Sequence, residues 1–148
     1  MMSNELKHQI QPTENTCTST CLAMILGIPV WDIIEDFHDL YFSQKMNPME
    51  YIHRFHPDWR CNSLQSVHDT WVSGRYYILT VPSLNSRTDN HSIIQYFPGQ
   101  LAILDPNRGR KDSDYYVLPR DIHNIDDSKA VPLKSWTPGF EIYKIGDE

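Results

Sequence analysis

The spacing of apolar and polar positions divides this chain into a helical first half and a strand-rich second half. Leu22-Ala23-Met24-Ile25-Leu26 are helix formers or core fillers, and Gly27 followed by Pro29 is the stop expected just past a helix. A short buried helix over about Cys17 to Leu26 is therefore predicted. Pro29 also suits the opening of a second helix. There Val30, Ile33, Ile34, Phe37 and Tyr41 recur at helical spacing and leave Asp32, Glu35, Asp36 and Asp39 to solvent. Asn47-Pro48-Met49-Glu50 has the form of a capping box that leads into Met49, Ile52 and Phe55, with Pro57 ending the helix. A further helix is predicted from about Ser63 to Ser73, where Leu64, Val67 and Trp71 share a face and Gly74 stands at the terminator position.

From Tyr76 onward the pattern changes to β-branched and aromatic runs separated by turn residues. Strands are predicted over Tyr76-Tyr77-Ile78-Leu79-Thr80-Val81, over His91 to Phe97 and over Leu101 to Asp105. Pro98-Gly99-Gln100 is short enough to join the last two as a hairpin, which sets His91 at the start of one strand and Asp105 at the end of its neighbour, side by side. Tyr115 to Leu118 and Phe140 to Ile145 are further strands, separated by a polar connection containing Asp and Pro. No internal repeat or low-complexity segment interrupts this order. The expected class is α+β, with an N-terminal helical half packed on a C-terminal antiparallel sheet, in a single domain over residues 1–148.

Composition narrows the function classes. At 148 residues, 40% hydrophobic and 22% charged, the chain matches an ordinary globular domain with a real core. A formal net charge of -6 argues against nucleic acid as a partner, because the dense basic run Arg108-Gly109-Arg110-Lys111 is followed at once by acidic residues. No apolar run approaches the roughly 20 residues that span a bilayer, and Met1 to Lys7 lacks the apolar core of a signal peptide. A cytoplasmic protein without a membrane partner is expected. Three cysteines, an odd number, do not describe a disulfide framework and leave room for a catalytic thiol. His53, His56, Cys61 and His68 are ligand types that zinc accepts, but their spacing matches no closed site, so neither metal nor cofactor is expected.

Cys17 stands where a polar loop, Gln11 to Thr16, runs into the first helix. Unpaired backbone N–H groups and the positive end of the helix dipole favour a thiolate there. Cys21, one helical turn on, is expected to be core packing. A helical half carrying a cysteine at a helix start, followed by His91 and Asp105 at adjacent strand ends, supplies the groups that a thiol, a base and an orienting carboxylate require. Asn107 is the alternative orienter.

In these features the chain resembles the papain-like cysteine peptidases, in particular the compact bacteriocin leader-processing type. The features are Gln11 six residues before Cys17, the run Cys21 to Gly27 after it, Gly74-Arg75-Tyr76-Tyr77-Ile78-Leu79, Asn90-His91-Ser92-Ile93-Ile94 and Leu104-Asp105-Pro106-Asn107-Arg108-Gly109. They cover about residues 9 to 110, in the family's order Gln, Cys, His, Asp. The resemblance implies a papain-like fold in which Cys17 attacks a carbonyl carbon, His91 moves the proton and Asp105 holds the imidazole tautomer. It also implies that the Gln11 amide joins the Cys17 N–H in an oxyanion hole. A protein or peptide is the implied substrate. Thr18-Ser19-Thr20 stands where the family carries glycine and other small residues, and is expected to narrow the substrate cleft. The rival expectation is an inactive papain-like fold used as a binding or inhibitory module, such as a phage or mobile-element protein that engages a host factor.

Overall fold

The expected first helix is present as α1 (Cys17–Leu26), and it stops where Gly27 takes a left-handed φ of 74°. Its N–H and that of Ile28 both reach the Ala23 carbonyl, at 2.9 and 3.1 Å, a glycine-ended cap that a side chain at that φ would strain. The fold is that of a computed structural model describing residues 6–13, 15–64, 72, 74–85, 90–96 and 101–146; Asn90, His91 and Tyr96 are described by their backbone alone.

After the turn the chain forms α2 (Val30–Ile33), a π-helical turn (Ile34–His38) and α3 (Asp39–Phe42), bent 116° from α1. Val30, Ile33 and Phe37 are buried as their spacing predicts. The π turn is a departure from the regular helix expected there. It widens the helix by a residue, and Phe37 stacks on Tyr41 at 5.0 Å. Next comes α4 (Pro48–Phe55), capped by the Asn47 side chain, which accepts from the Glu50 N–H at 2.9 Å. Tyr51 and Ile52 form its buried face, whereas Phe55, expected on that face, is exposed. Among the described residues, no single helix is long and apolar enough to cross a membrane.

A five-stranded antiparallel sheet follows, in the order β1 (Trp59–Ser63), β7 (Thr137–Lys144), β2 (Tyr76–Pro82), β3 (Asn90–Tyr96), β4 (Ala102–Leu104). Two corrections arise here. Ser63, placed by sequence at the start of a helix, ends β1 and pairs with Phe140; the predicted helix itself falls on residues 65–71 and 73, outside the described ones. The sheet is also not purely C-terminal, because its edge strand β1 comes from the first half of the chain. Strands β3 and β4 are antiparallel neighbours as expected, but their register, carried one step past Leu104, sets Asp105 level with Ile93 rather than beside His91; the connecting residues 97–100 lie outside the description.

The sheet is buried on both faces, by alternation along its strands. Ile78, Ile94 and Ile142 face the helices, packing with Leu22, Met24, Phe37 and Tyr51. Tyr77, Leu79, Val81 and Ile93 pack with Tyr116 and Leu133. That second layer comes from β5 (Tyr115–Val117) and from β6 (Ala130–Pro132) with Leu133 after it; β5 and β6 pair in parallel, and a 3-10 helix (Pro119–Asn124) connects them. Sequence spacing had identified only the first of these three elements.

At the sheet's centre, cross-strand partners Tyr77 and Glu141 meet: the phenol donates to Glu141 Oε2 at 3.0 Å, and Arg75 Nη1 holds Oε1 at 3.0 Å. Burial raises the Tyr77 and Tyr51 hydroxyls from 10.0 to about 12 and the Cys61 thiol from 9.0 to about 12. Groups held neutral by the fold ionise more readily in the unfolded chain, so their contribution is complete below pH 9 and is lost as pH rises toward 12. Urea unfolding measured from pH 8 to 12 is expected to show flat stability followed by a decline, which is shallower in Tyr77→Phe and Cys61→Ser. In the same experiment at neutral pH, Gly139→Ala is expected to cost about 1–3 kcal/mol, because an added Cβ would lie 2.9 Å from the Ile78 carbonyl oxygen.

Candidate functional site

The polar loop before α1 folds back on itself. Thr16 Oγ1 donates to the Thr13 carbonyl and accepts from the Thr13 N–H, both at 3.1 Å, and gives α1 no side-chain cap. No acidic residue stands in the first turn of α1. Cys17, the first helical residue and half-buried, thus stands at a positive helix end that no cap or carboxylate of its own turn neutralises. Gln11 is buried, donates from Nε2 to the Thr13 carbonyl at 2.8 Å and from its backbone N–H to the Pro106 carbonyl at 3.0 Å. The second of these bonds ties the residue six before the thiol to the residue after Asp105.

Thr18, Ser19 and Thr20 do not narrow a cleft, contrary to the sequence-based expectation. They are 5%, 1% and 0% exposed, so their side chains are turned inward. Thr20 Oγ1 donates to the Thr16 carbonyl at 2.7 Å, and Thr18 Oγ1 lies 2.8 Å from Ser92 Oγ on β3. Cys21 is core, as expected: its thiol donates to the Ser92 carbonyl at 3.4 Å, and its pKa is pushed well above the ordinary value by burial, with Cys17 and Asp105 adding repulsion. Helix α1 therefore grips β3 at Ser92, the residue directly after His91.

The backbone of His91 pairs with Val81 near one end of β3. Its side chain lies outside the described ones. The ladder between β3 and β4 ends at Ile94 and Leu104, and continuing it one step puts Asp105 level with Ile93, two residues from His91. Asp105 is 1% exposed. Its Oδ1 accepts from the Asn107 N–H at 2.9 Å and its Oδ2 from the Tyr116 N–H at 2.8 Å. Two backbone donors hold the carboxylate in one orientation. Asn107, the alternative orienter, is buried in the same turn.

Four further residues shape this region. His8 donates from Nε2 to the Asp105 carbonyl at 2.8 Å, and the Gln9 amide bridges the turn after α1, donating to Ile28 O at 2.7 Å and accepting from Val30 N–H at 2.9 Å. Together with Gln11 they make residues 8–11 a strap between the two ends of α1 and the Asp105 loop. Ser92 and Tyr116 complete the set. Nothing in their spacing marks them, since their partners stand between 11 and 97 residues away; only the neighbourhood of Ser92 to His91 is a usable signal.

His56, one of the histidines weighed for zinc, bonds the Tyr51 hydroxyl at 3.0 Å, and burial lowers its pKa. His68 lies outside the described residues. Among the described residues, no group of three or more His, Cys, Asp or Glu could hold a metal ion. Compared with known proteins, the chain matches no family model, no curated protein and no solved structure.

Asp105 gives a direct test of the local build. Asp105→Asn keeps one acceptor oxygen for the two backbone donors and is expected to cost about 1–3 kcal/mol, whereas Asp105→Ala orphans both and should cost roughly twice as much. Equilibrium denaturation of the two variants beside the parent protein provides the comparison.

Proposed function

We propose that this chain is a thiol hydrolase of papain-like fold, a single domain acting in the cytoplasm on an amide, isopeptide or related acyl bond of a protein or peptide. The observation that supports this reading is a half-buried thiol at an uncapped helix start whose preceding loop is tied, by the Gln11 N–H to the Pro106 carbonyl, to the turn of a buried carboxylate fixed by two N–H donors. His91, the residue before Ser92 on β3, is the base this reading assigns to them.

Cys17 is the nucleophile. Its proton passes to His91, and the thiolate–imidazolium pair is the reactive form, favoured by the positive end of α1. Sγ attacks the carbonyl carbon, and the developing oxyanion is met by the Cys17 backbone N–H and the Gln11 amide; one such donor is typically worth about 100- to 1,000-fold in rate. Collapse breaks the C–N bond as His91 returns its proton to the leaving nitrogen, forming an acyl-thioester. Water then attacks, gives its proton to His91, and hydrolysis releases the acid and restores the thiol. Asp105 holds the imidazole tautomer and offsets its positive charge. An amine in place of water would turn the same intermediate toward acyl transfer.

Iodoacetamide labelling of Cys17, followed peptide by peptide, tests the reading without a known substrate. Fast labelling is expected well below pH 8, slowing at neutral pH by about 10-fold or more in His91→Ala. Burial keeps the Cys21 and Cys61 thiols neutral in that range, so they label slowly. A sluggish Cys17 indifferent to His91 would sink the hydrolase and favour a binding module on the same fold.

A further inference from the structure

We propose that the Thr18–Ser92 hydroxyl bond is a clamp that sets the separation of Cys17 and His91, making Thr18 and Ser92 positioning residues of the site; this rests on the thiol-hydrolase reading above. Each hydroxyl belongs to the residue directly after one member of the reacting pair, and the two oxygens lie 2.8 Å apart across 74 residues of sequence. The bond joins the first turn of α1 to the start of β3, so it acts on the two backbones that carry Cys17 and His91.

What surrounds it is unsuited to fixing that distance. Deeper along α1, the contact with the sheet is made by Cys21, Leu22 and Ile25 against Ile78 and Ile94, and apolar packing is non-directional. It favours burial of α1 on the sheet but tolerates a small slide along it. A hydrogen bond between two short side chains does not, because its length and angle are both restricted. Thr18 is β-branched, so its χ1 is stiff and its hydroxyl is aimed before the bond forms. The thiol of Cys21, on the next turn of α1, holds the Ser92 carbonyl at 3.4 Å and prevents Ser92 from pivoting about the first bond. A residue without a side chain after the nucleophile would leave the Cys21 thiol as the tie to Ser92, one turn further from Cys17. The threonine at position 18 is thus a device that ties the thiol's helix to the histidine's strand.

The test is the pH profile of Cys17 labelling by iodoacetamide, a readout that a loss of stability alone does not move. In Thr18→Val, which keeps the shape and removes the hydroxyl, and in Ser92→Ala, the labelling midpoint is expected to rise. The rate at pH 7 should fall on the order of 10- to 100-fold, the scale of a 1 Å misplacement. The double variant should be no slower than either single one, and Thr18→Ser, which restores the hydroxyl, should recover the parent profile. Thermal melts identify variants that remain folded, and Ser92→Ala, the smaller change, carries the test if Thr18→Val does not fold. If His91→Ala shifts the profile while Thr18→Val and Ser92→Ala leave it at the parent position, the clamp is wrong and the hydrolase stands. Additive losses in the double variant also overturn the clamp, because the two hydroxyls would then act separately. If His91→Ala leaves the profile unchanged, the hydrolase reading fails and the clamp fails with it.

Discussion

Helix α1 is buried from Thr18 to Ile25, so it has to lie between the sheet and the α2–α3 rod, and that requirement sets the layout of the chain. A helix buried on all sides cannot be amphipathic, which explains why its apolar residues run consecutively from Cys21 to Leu26. Its hydroxyl residues sit in the first turns, where Thr20 bonds the carbonyl one turn back and Thr18 a strand hydroxyl, while Ser19 Oγ is buried without a hydrogen bond among the described residues. Burial of α1 also decides where Cys17 goes. With its helix fixed on the inner face of β3, the first helical residue arrives at the end of that strand that begins with Asn90 and His91.

The other half of the site is held by a different kind of force. The Asp105 turn has no strand partner beyond Leu104, and it is fastened instead by single hydrogen bonds from the strap and from β5. Each of these would be weak on the surface, but Asp105, Pro106 and Asn107 are buried, where an unmade bond costs more than a made one contributes. The strap is in turn fixed at the far end of α1 by both atoms of the Gln9 amide. Gln11, Asp105 and Cys17 are therefore all referred to one rigid body, α1, through short connections.

Much of this was legible in the sequence wherever the controlling interactions are local. The bounds of α1, the glycine that ends it and the Asn47 cap depend on residues within a few positions of one another, and they stand where the spacing put them. The strands β2 and β4 were readable because burial on both faces of the sheet makes them almost continuously apolar, and β3 through its central Ile93-Ile94. Trp59-Arg60-Cys61-Asn62-Ser63 carries no such signal, because as an edge strand it is largely exposed and is held by backbone pairing to β7. Of the short parallel pair, β5 shows in its own run Tyr115-Tyr116-Val117, whereas β6 is defined by that partner across 15 residues. The site divides in the same way. Gln11, Cys17, His91 and Asp105 were singled out by residue type and order, while His8, Gln9, Ser92 and Tyr116 act through long-range bonds that no spacing encodes. The inward turn of Thr18-Ser19-Thr20 belongs to the second group, because which way a helical hydroxyl faces depends on the strand packed against it.

The three thiols show how far position, rather than residue type, governs chemistry in this fold. Cys21 and Cys17 are one turn apart on the same helix, yet Cys21 is fully buried and donates its proton to a backbone carbonyl, an arrangement that stabilises the neutral thiol. Cys61 is driven the same way by burial alone, on the far edge of the sheet. Cys17 is a partly exposed thiol at a helix N-terminus, where the positive end of the helix dipole favours negative charge. Burial is the main cause of the raised Cys21 pKa, and the neighbouring Cys17 and Asp105 add to it. The buried cysteine is thus a neutral donor that anchors Ser92.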